Sequence, residues 1–366
     1  MTRHVVLTFV AGVALLVAGC AGPTADRDPL GPSDLDAAVA GIVDVGEDLT
    51  VALGDEPAMI GMLSVPWSFQ TVVSEPPPLA VERTADQDLP RGILAFDTDT
   101  STWVEVGVSL DLEFHWSFVD ADGAPRDAHL VIDWGMTEDV GDGMGGTTEV
   151  PTDGVSVALT IDDDPAGAFD VAVDWYAAPT CPDGVLVPTS GLVDGSIGVD
   201  ATIALNAVGF TLADDAFDTS GEIVATAGSN AIGVDWNVGL GIDLTRGTDC
   251  FVEDVDVIDG SVAVSVFGTS AGTTTRLALG FGFSDIQTGE YDEPVSVAIS
   301  GGQLRLNGTL VVAFAGRLDD ANANGIPGDA LTLTFADGTT MTLEAYLETY
   351  VEEITATVGR ALALLR

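Results

Sequence analysis

A short acidic run near the carboxyl end of the chain carries oxygen side chains at a spacing that suits a calcium ion. Residues 319–329 read Asp-Asp-Ala-Asn-Ala-Asn-Gly-Ile-Pro-Gly-Asp, between two expected strands. Counted from the second Asp, oxygen side chains stand at the first, third and fifth positions, glycine at the sixth and a carbonyl at the seventh, which is the layout of a calcium loop. The residues expected to hold Ca²⁺ are Asp320, Asn322, Asn324, Ile326 through its carbonyl, and Asp329.

The Asn-Gly-Ile-Pro core of this run, residues 324–327, resembles the calcium repeats of the thrombospondin type 3 family. That resemblance implies a Ca²⁺ loop covering about ten residues. The chain departs from the repeat in three respects: it has one copy, Gly328 replaces an acid at the ninth position, and Leu331 stands where the final acidic ligand belongs. The alternative is a plain hairpin loop, in which Asn and Gly supply left-handed backbone angles. If calcium binds, it is expected to rigidify the loop rather than to catalyse a reaction.

Nucleophilic catalysis is not indicated by the serine and histidine positions. Residues 268–272 match the Gly-x-Ser-x-Gly pattern around Ser270, but a nucleophile elbow needs a helix after it, and here another strand pattern follows. Apart from the amino-terminal signal, the histidines are His115 and His129. Both are expected on the polar face of the first hairpin, where Asp133 is a possible partner. We therefore predict no catalytic residues, although paired carboxylates acting on a polysaccharide stay open among 58 acids.

The first twenty residues have the features of an export signal. A positively charged start precedes an apolar stretch, residues 5–17, that is too short for a comfortable transmembrane helix. Residues 16–20, Leu-Val-Ala-Gly-Cys, resemble a bacterial lipobox. The resemblance implies cleavage before Cys20 and a lipid on its thiol, so that the chain is anchored to a membrane. Ala21 follows in place of an inner-membrane retention Asp, so the outer membrane or cell surface is the expected location. An ordinary secretory signal is the alternative.

Two cysteines remain after such a cleavage, Cys181 and Cys250. In an oxidising envelope compartment, the default for an even pair of cysteines is a disulfide. Both residues stand beside turn-like segments where strand ends could meet. Closing a loop of this size stabilises a fold by roughly 4 kcal/mol on the chain-entropy model. We therefore predict a bridge between them.

The charge of the chain excludes several classes of partner. There are 58 acidic residues against 11 basic ones, no lysine, and a formal net charge of −47. Such a surface repels phosphate backbones and anionic lipid headgroups, so nucleic-acid binding is excluded. Yet 46% of the residues are hydrophobic and the mean hydropathy is +0.35, so the chain is not a disordered acidic tail.

Four segments follow from the composition along the chain: a signal peptide over 1–19, a lipidated Cys and polar tether over 20–32, a helix with a proline-rich irregular stretch over 33–92, and a β domain over 93–366. Ser33 is the expected N-cap of a helix over 34–51, because an acid follows it three residues later. Repeated prolines after residue 56 predict irregular structure with room for one edge strand.

Alternating apolar and polar residues dominate the β domain. The alternation predicts one strand of fifteen residues from Val104 to Phe118, which the Asp-Ala-Asp-Gly segment 120–123 turns back on itself. Because no helical pattern separates the segments, the sheet is predicted to be antiparallel. The further strands are expected at Leu130–Met136, Val155–Ile161, Phe169–Trp175, Ile197–Leu205, Ile232–Leu244, Val262–Val266, Leu277–Phe283, Val295–Ile299, Leu304–Leu318 and Leu331–Phe335.

A last, amphipathic helix is predicted from about Glu344 to the end, with the expected role of covering the open face of the sheet. The predicted fold class is therefore mainly β, a large curved antiparallel sheet, barrel-like or a sandwich, with a short N-terminal helix and a C-terminal amphipathic helix. The terminal helix and the scarcity of aromatic residues disfavour a membrane-spanning barrel.

These features predict a lipid-anchored, acidic protein of the bacterial cell envelope with a non-enzymatic structural or surface-interaction role, stabilised by calcium if the loop binds it. Expected partners are the membrane through Cys20 and an envelope protein or polysaccharide. One alternative is a carrier that holds a lipid or another hydrophobic ligand inside the curved sheet. The second is an enzyme acting on envelope polysaccharide.

Overall fold

The computed structural model describes residues 32–65, 89–141, 147–177, 186–246, 252–288, 294–319 and 328–346. Two helices, α1 (Pro32–Asp55) and α2 (Pro57–Leu63), precede the strands. The strands are β1 Gly92–Asp97, β2 Thr102–Gly107, β3 Leu112–Val119, β4 Pro125–Asp133, β5 Thr137–Gly141, β6 Thr147–Pro151, β7 Val155–Ile161, β8 Asp164–Ala177, β9 Leu186–Ile197, β10 Ala201–Leu212, β11 Ala216–Ala227, β12 Asn230–Arg246, β13 Val252–Ser270, β14 Thr273–Thr288, β15 Pro294–Leu306, β16 Thr309–Asp319, β17 Leu331–Phe335 and β18 Thr340–Thr342.

Sixteen of these strands form one sheet. Its order is β18-β17-β16-β15-β14-β13-β12-β11-β10-β9-β8-β7-β4-β3-β1-β2, and β5 and β6 form a separate hairpin. Successive strands from β7 to β18 pair antiparallel with the next strand along the chain. The predicted mainly β fold with a large antiparallel sheet is confirmed, and the hydrogen-bonded order has two ends, β18 and β2. One pair departs from the prediction, because β1 and β3 run parallel.

The parallel pair explains why the predicted strand from Val104 to Phe118 is wrong. It is two strands, β2 and β3, separated by residues 108–111. β2 forms an antiparallel hairpin with β1, whereas β3 lies on the other side of β1, so the chain must cross over between them. Val108 and Leu110 lie in this crossing and are 92% and 84% exposed. Their alternation with polar neighbours imitates a continuous strand in the sequence.

Two other predicted strands contain a turn. The expected strand Ile197–Leu205 is interrupted between β9 and β10, where Gly198 has a φ of +105°. The expected strand Leu304–Leu318 is broken at Asn307 and Gly308, whose φ angles of 48° and 83° suit the two-residue turn of a hairpin. In both places the apolar period continues on each side of the turn, so the pattern alone does not reveal the break.

Both helices precede the strands in the sequence, and they pack on one face of the sheet. α1 begins one residue before the predicted cap Ser33 and continues to Asp55, four residues past the predicted end. α2 was expected to be irregular, but Pro57 stands in its first turn, where the missing N–H costs nothing. Residues 343–346 are helical, as predicted for the start of the last helix; its remainder, 347–366, lies outside the described residues. No helix of the described segments has the length and apolar character needed to span a bilayer.

The apolar face of the sheet is packed against these helices in two clusters, and we call it the inner face. Ala38 and Ile42 of α1 pack with β13 to β17, and Ala58 of α2 packs with β1 to β4 and β7 to β9. Between the helices, the buried carboxylate of Glu56 accepts hydrogen bonds of 3.1 Å from the backbone N–H groups of Asp200 and Ala201. Those bonds join the helix junction to the turn between β9 and β10. Burial of a paired carboxylate in this way fixes the helices against the sheet.

Candidate metal centre

The opposite, outer face of β3 and β4 brings three potential metal ligands together. Along β3 the buried residues alternate with Glu113 and His115, so these two side chains project from the same outer face. On β4, His129 lies directly opposite His115 in the register of the hairpin. Directly opposed side chains in an antiparallel pair have their Cβ atoms about 5 Å apart, close enough to share one ion.

The donor atoms of Glu113, His115 and His129 all lie within 4.8 Å of one another; we call these three residues the histidine centre. His129 Nε2 is 3.0 Å from Glu113 Oε2, and His115 Nε2 is 3.9 Å from the same oxygen. The two imidazole rings are stacked, with centroids 4.0 Å apart and planes 11° from parallel. The side chains of His115, His129 and Glu113 are 43%, 30% and 19% exposed, so solvent and ions have access.

The protonation states at the centre suit a ligand set. Burial lowers the pKa of His115, and the nearby His129 lowers it further, against the opposing effect of Glu113. The pKa of Glu113 is lowered by the hydrogen bond from the Ser109 hydroxyl, although burial opposes this shift. A neutral imidazole and an ionised carboxylate are the forms that coordinate metals.

Residues of the crossing between β2 and β3 fix the orientation of the Glu113 carboxylate. Ser109 Oγ donates to Glu113 Oε1 at 2.7 Å, and the backbone N–H of Asp111 donates to Ser109 Oγ at 3.2 Å. Arg91 Nε donates to the carbonyl of Leu110 at 3.1 Å, which fixes the same crossing. The residues after β2 therefore orient one candidate ligand as well as connecting two strands.

Arg91 is itself clamped to the β5–β6 hairpin. Its guanidinium donates to both carboxylate oxygens of Glu149, at 2.7 and 3.1 Å, and the backbone N–H of Leu89 and the Thr137 hydroxyl donate to the same carboxylate. These hydrogen bonds, that of Arg91 foremost, lower the pKa of Glu149 to about 2, although burial opposes them. The clamp thus fixes the start of β1 and, through Leu110, the crossing beside the histidine centre.

The other side of the hairpin lies in a dense aromatic core, which limits how far the outer residues can move. Phe114 is fully buried, and its ring lies 5.1 Å from that of Trp103 in an edge-to-face arrangement. Trp116 Nε1 donates to the carbonyl of Gly61 in α2 at 3.2 Å. Because alternate residues of β3 are anchored in this core, Glu113 and His115 project from a rigid backbone.

The sequence indicated the position of the histidines but not their partner. Both lie on the polar face of the first hairpin as predicted, but His129 contacts Glu113 on β3, not Asp133. Asp133 instead lies beyond Val131 on β4 and accepts the backbone N–H of Gly135. The predicted turn 120–123 does not give their pairing, because His115 lies five residues before it and His129 six after it; the observed connection, residues 120–124, is one residue longer and places the two histidines opposite each other. Glu113 then follows by the period of two.

At the predicted calcium loop the structure describes only the two ends. Asp320, Asn322, Asn324 and Ile326 lie outside the described residues. The Gly328 N–H donates to the Asp319 carbonyl at 2.6 Å and closes the base of the connection. Asp319 Oδ1 is buried and has no hydrogen-bond partner among the described residues, and Asp329 also buries an oxygen. Leu331 is 3% exposed in the core, so it does not act as a ligand.

The other predicted site residues have varied outcomes. Cys20, Cys181 and Cys250 lie outside the described residues, so lipidation and the disulfide stay predictions. The end of β8 and the start of β13 lie at the same end of the sheet, five strand spacings or roughly 24 Å apart along it. Ser270 ends β13 and is followed by a two-residue turn into β14, as the absence of a helical pattern predicted.

Comparison of the chain with protein-family models, with curated proteins and with solved structures finds no match to any of them. Inference about function therefore rests on the chemistry of the histidine centre and on the two faces of the sheet.

Proposed function

We propose that this chain is a lipid-anchored, acidic β protein of the bacterial cell envelope with a non-enzymatic structural or surface-interaction role. The observation that carries the proposal is the division of the sheet into two faces. The chain's own helices pack on parts of the apolar inner face in two clusters, and the outer face carries acidic side chains on several neighbouring strands. A protein built in this way has its outer face available for contact with other envelope components.

Where the two helices lie on the inner face, they pack closely against the sheet. Ile42 of α1 lies so close to β13 that a Cβ at Gly268 would stand 3.2 Å from it, and Gly61 of α2 is equally close to Phe118 of β3. Contacts of this kind leave no room for a ligand between helix and sheet at these two positions. They favour a surface role over the alternative of a carrier, which needs a cavity between helix and sheet for a hydrophobic ligand.

The outer face is acidic along several neighbouring strands. Asp170 on β8 lies directly opposite Asp194 on β9, and Asp243 on β12 lies directly opposite Asp256 on β13. Directly opposed like charges destabilise a sheet by up to about 1 kcal/mol each. Keeping them suits a surface that must stay soluble or attract cationic groups.

The predicted anchor is compatible with this arrangement. Eleven residues, 21–31, lie between Cys20 and the first residue of α1, Pro32, and a fully extended chain over these twelve Cα–Cα steps spans about 40 Å. A tether of this reach holds the sheet near the membrane while anionic headgroups repel its acidic surface. The outer membrane or cell surface is the proposed location.

Fractionation of cells expressing the full chain and its Cys20→Ser variant tests the anchor. We expect the wild-type chain in the detergent phase, with a mass increased by the lipid, and the variant in the aqueous phase. A Cys20→Ser chain that stays in the detergent phase with an unchanged mass contradicts the proposal. Native mass spectrometry of the same samples separates the alternatives, because a carrier retains a lipid or other hydrophobic ligand and a surface protein does not.

The surface role is tested by binding of the protein to isolated envelope fragments. The double change Asp170→Arg and Asp194→Arg reverses charge on the outer face and is expected to reduce binding. Asp163→Arg with Asp337→Arg makes the same charge change at exposed turns and serves as the control. Equal binding by the two double variants would remove the support for the outer face as the contact surface.

Calcium is proposed as a stabiliser of the connection between β16 and β17. The buried oxygen of Asp319 supports this, because a carboxylate oxygen without a hydrogen bond is costly unless a cation compensates it. Millimolar Ca²⁺ is expected to raise the melting temperature of the full chain, and Asp320→Ala is expected to abolish that rise. If Ca²⁺ leaves the melting temperature of the wild-type chain unchanged, the connection is a plain hairpin loop.

A further inference from the structure

The geometry of the β3–β4 hairpin points to a site for a divalent transition-metal ion of the zinc class, bound by Glu113 Oε2, His115 Nε2 and His129 Nε2. This inference goes beyond the envelope role, since a surface protein needs no metal of this kind. It is independent of the calcium loop, which lies in another connection and has a different donor set.

The donors determine the class of ion. Two imidazole nitrogens and one carboxylate oxygen suit Zn²⁺, Ni²⁺ or Cu²⁺, whereas Ca²⁺ and Mg²⁺ require a shell of oxygen ligands. Three protein ligands leave at least one coordination position of a tetrahedral ion for water or an external ligand. The site therefore has the composition of an exchangeable metal site rather than a closed structural one.

The immediate surroundings leave room for an ion and its remaining ligand. On the two strands that flank the hairpin, the residue opposite His115 is Ala95 of β1 and the residue opposite His129 is Thr160 of β7. Both side chains are small, so neither covers the partly exposed imidazole rings of His115 and His129. A larger residue at either position would cover the histidine centre.

The hydrogen bonds that Glu113 accepts orient its carboxylate for metal coordination. Ser109 Oγ holds Glu113 Oε1 at 2.7 Å and leaves Oε2 directed at the histidines, 3.0 Å from His129 Nε2. Hydrogen bonds that orient a metal-ligating carboxylate typically contribute a factor of about 10 to 100 in metal affinity. An ion entering the centre would replace the contact between Glu113 and His129 with a bond to each of them, and the proton on His129 Nε2 would move to Nδ1 or to solvent.

The rings must move slightly for both to bind one ion. Stacked rings only 11° from parallel place their Nε2 atoms almost side by side, whereas two Zn–N bonds of about 2.1 Å require the Nε2 lone pairs of the two deprotonated nitrogens to converge on the ion. Rotation about the side-chain bonds achieves this, and the partial exposure of both rings allows it. Loss of the stacked arrangement is thus an expected signature of binding.

The local electrostatic field also favours a cation. Asp111 interacts electrostatically with Asp133 and Glu113, and Arg91 is the nearby positive charge. This group of carboxylates beside the histidine centre concentrates cations at this part of the outer face.

The test is a titration of the full detergent-solubilised chain with Zn²⁺ against a chromophoric chelator, after alkylation of the cysteines so that thiols do not bind the metal. We expect one strong site, weakened at least about tenfold in Glu113→Gln and in His129→Gln. Asp170→Asn is the matched control, because it removes one carboxylate from the same face outside the histidine centre. Its affinity should equal that of the wild type, and millimolar Ca²⁺ should not compete for the site.

Several outcomes overturn the inference: no strong zinc site in the wild-type chain, equal affinity in Glu113→Gln and wild type, or equal weakening by Asp170→Asn. The last result would mean diffuse attraction by the acidic face. Near-ultraviolet circular dichroism checks that each variant is folded. If His129→Gln does not fold, imidazole nuclear magnetic resonance of the wild-type chain decides the question, because zinc must shift the signals of His115 and His129 together. Unshifted signals exclude the site.

Discussion

The histidine centre and the connection between β16 and β17 both offer donors to a cation, but the donors are arranged differently. The histidine centre takes its donors from two neighbouring strands, with a fully buried phenylalanine, Phe114, between its two ligands on β3. The proposed calcium loop would take its donors from one continuous stretch, residues 320–329; beside it, among the described residues, the Gly328 N–H donates to the Asp319 carbonyl.

This difference affects both rigidity and the kind of ion. Side chains on paired strands are held by the sheet whether or not an ion is present, so binding costs little ordering entropy. A loop must be ordered by the ion it binds, and flexible oxygen ligands suit the larger, less demanding Ca²⁺. The comparison predicts a site of zinc type on the strands and a site of calcium type in the loop.

The largest expected effect comes from the core beneath the histidine centre. Phe114→Ala removes a ring that is 0% exposed and should lower the free energy of unfolding by about 3–5 kcal/mol. Leu331→Ala, at the base of the other connection and 3% exposed, should cost about 2–5 kcal/mol. Urea unfolding measures both values. Phe114→Ala should also weaken zinc binding and Leu331→Ala should not; the opposite pattern would show that the core does not position the ligands.

The second prediction separates the two ions. At a concentration one hundred times the dissociation constant, a bound ion stabilises the fold by about 2.7 kcal/mol. His115→Asn should abolish the stabilisation by Zn²⁺ and keep that by Ca²⁺, and Asp320→Ala should do the reverse. Thermal unfolding with each ion measures the effect. Survival of either stabilisation after the change at its own site would refute the assignment of that site.

The third prediction concerns the clamp beside the histidine centre. Glu149 has a folded-state pKa of about 2, below the ordinary value of 4.5, so its contribution is present above pH 4.5 and is lost as the pH falls toward 2. Glu149→Gln should lower the free energy of unfolding by about 2 kcal/mol at neutral pH. The difference between wild type and variant, followed by urea unfolding against pH, should disappear near pH 2. A difference independent of pH would mean that the ionised carboxylate is not what stabilises the clamp.

A smaller effect is expected from the hydroxyl that orients Glu113. Ser109→Ala should reduce zinc affinity about tenfold and leave calcium binding unchanged. Ser117→Ala provides the control, because Ser117 lies on the same face of β3 but donates to Asp127 at 2.7 Å. Zinc titration of the two variants measures the difference. Equal affinities would indicate that Ser109 has no part in holding the carboxylate.

The smallest effect distinguishes the specific centre from the general acidity of the sheet. Added NaCl should raise the melting temperature, because salt screens opposed acids such as Asp170 and Asp194. Asp170→Asn relieves one such pair and should remove a few tenths of a kcal/mol of the salt effect, measured by thermal unfolding. It should leave the zinc affinity unchanged. A salt response identical to that of the wild type would mean that this pair is not a source of strain.

The fold was predictable to the extent that it depends on a local period. The alternation of apolar and polar residues located most strands, and the limits of β7 match the prediction at both ends. The parallel pairing of β1 and β3 was not predictable, because it depends on which edge of β1 the chain returns to after residues 108–111. The turn at Asn307 and Gly308 carried a recognisable hairpin signal that the continuing apolar period concealed.

The two candidate sites differ in the same way. A calcium loop is contiguous, so its spacing is legible in the sequence, and that prediction stays untested because the loop lies mostly outside the described residues. The histidine centre depends on the register between two strands, which places residues fourteen positions apart in direct opposition. Glu113 was missed because a single acid among 58 has no distinguishing feature until its neighbours across the sheet are known.

The most direct test of the central claim is X-ray absorption at the zinc edge of the full chain loaded with one equivalent of Zn²⁺. The histidine centre predicts a nitrogen and oxygen shell at about 2.0–2.1 Å with the outer scattering of two imidazoles. A shell made only of oxygen, without imidazole scattering, would place the ion on the general acidic surface. A sulfur shell at about 2.3 Å would place it on the cysteines, and either result would contradict the assignment of zinc to Glu113, His115 and His129.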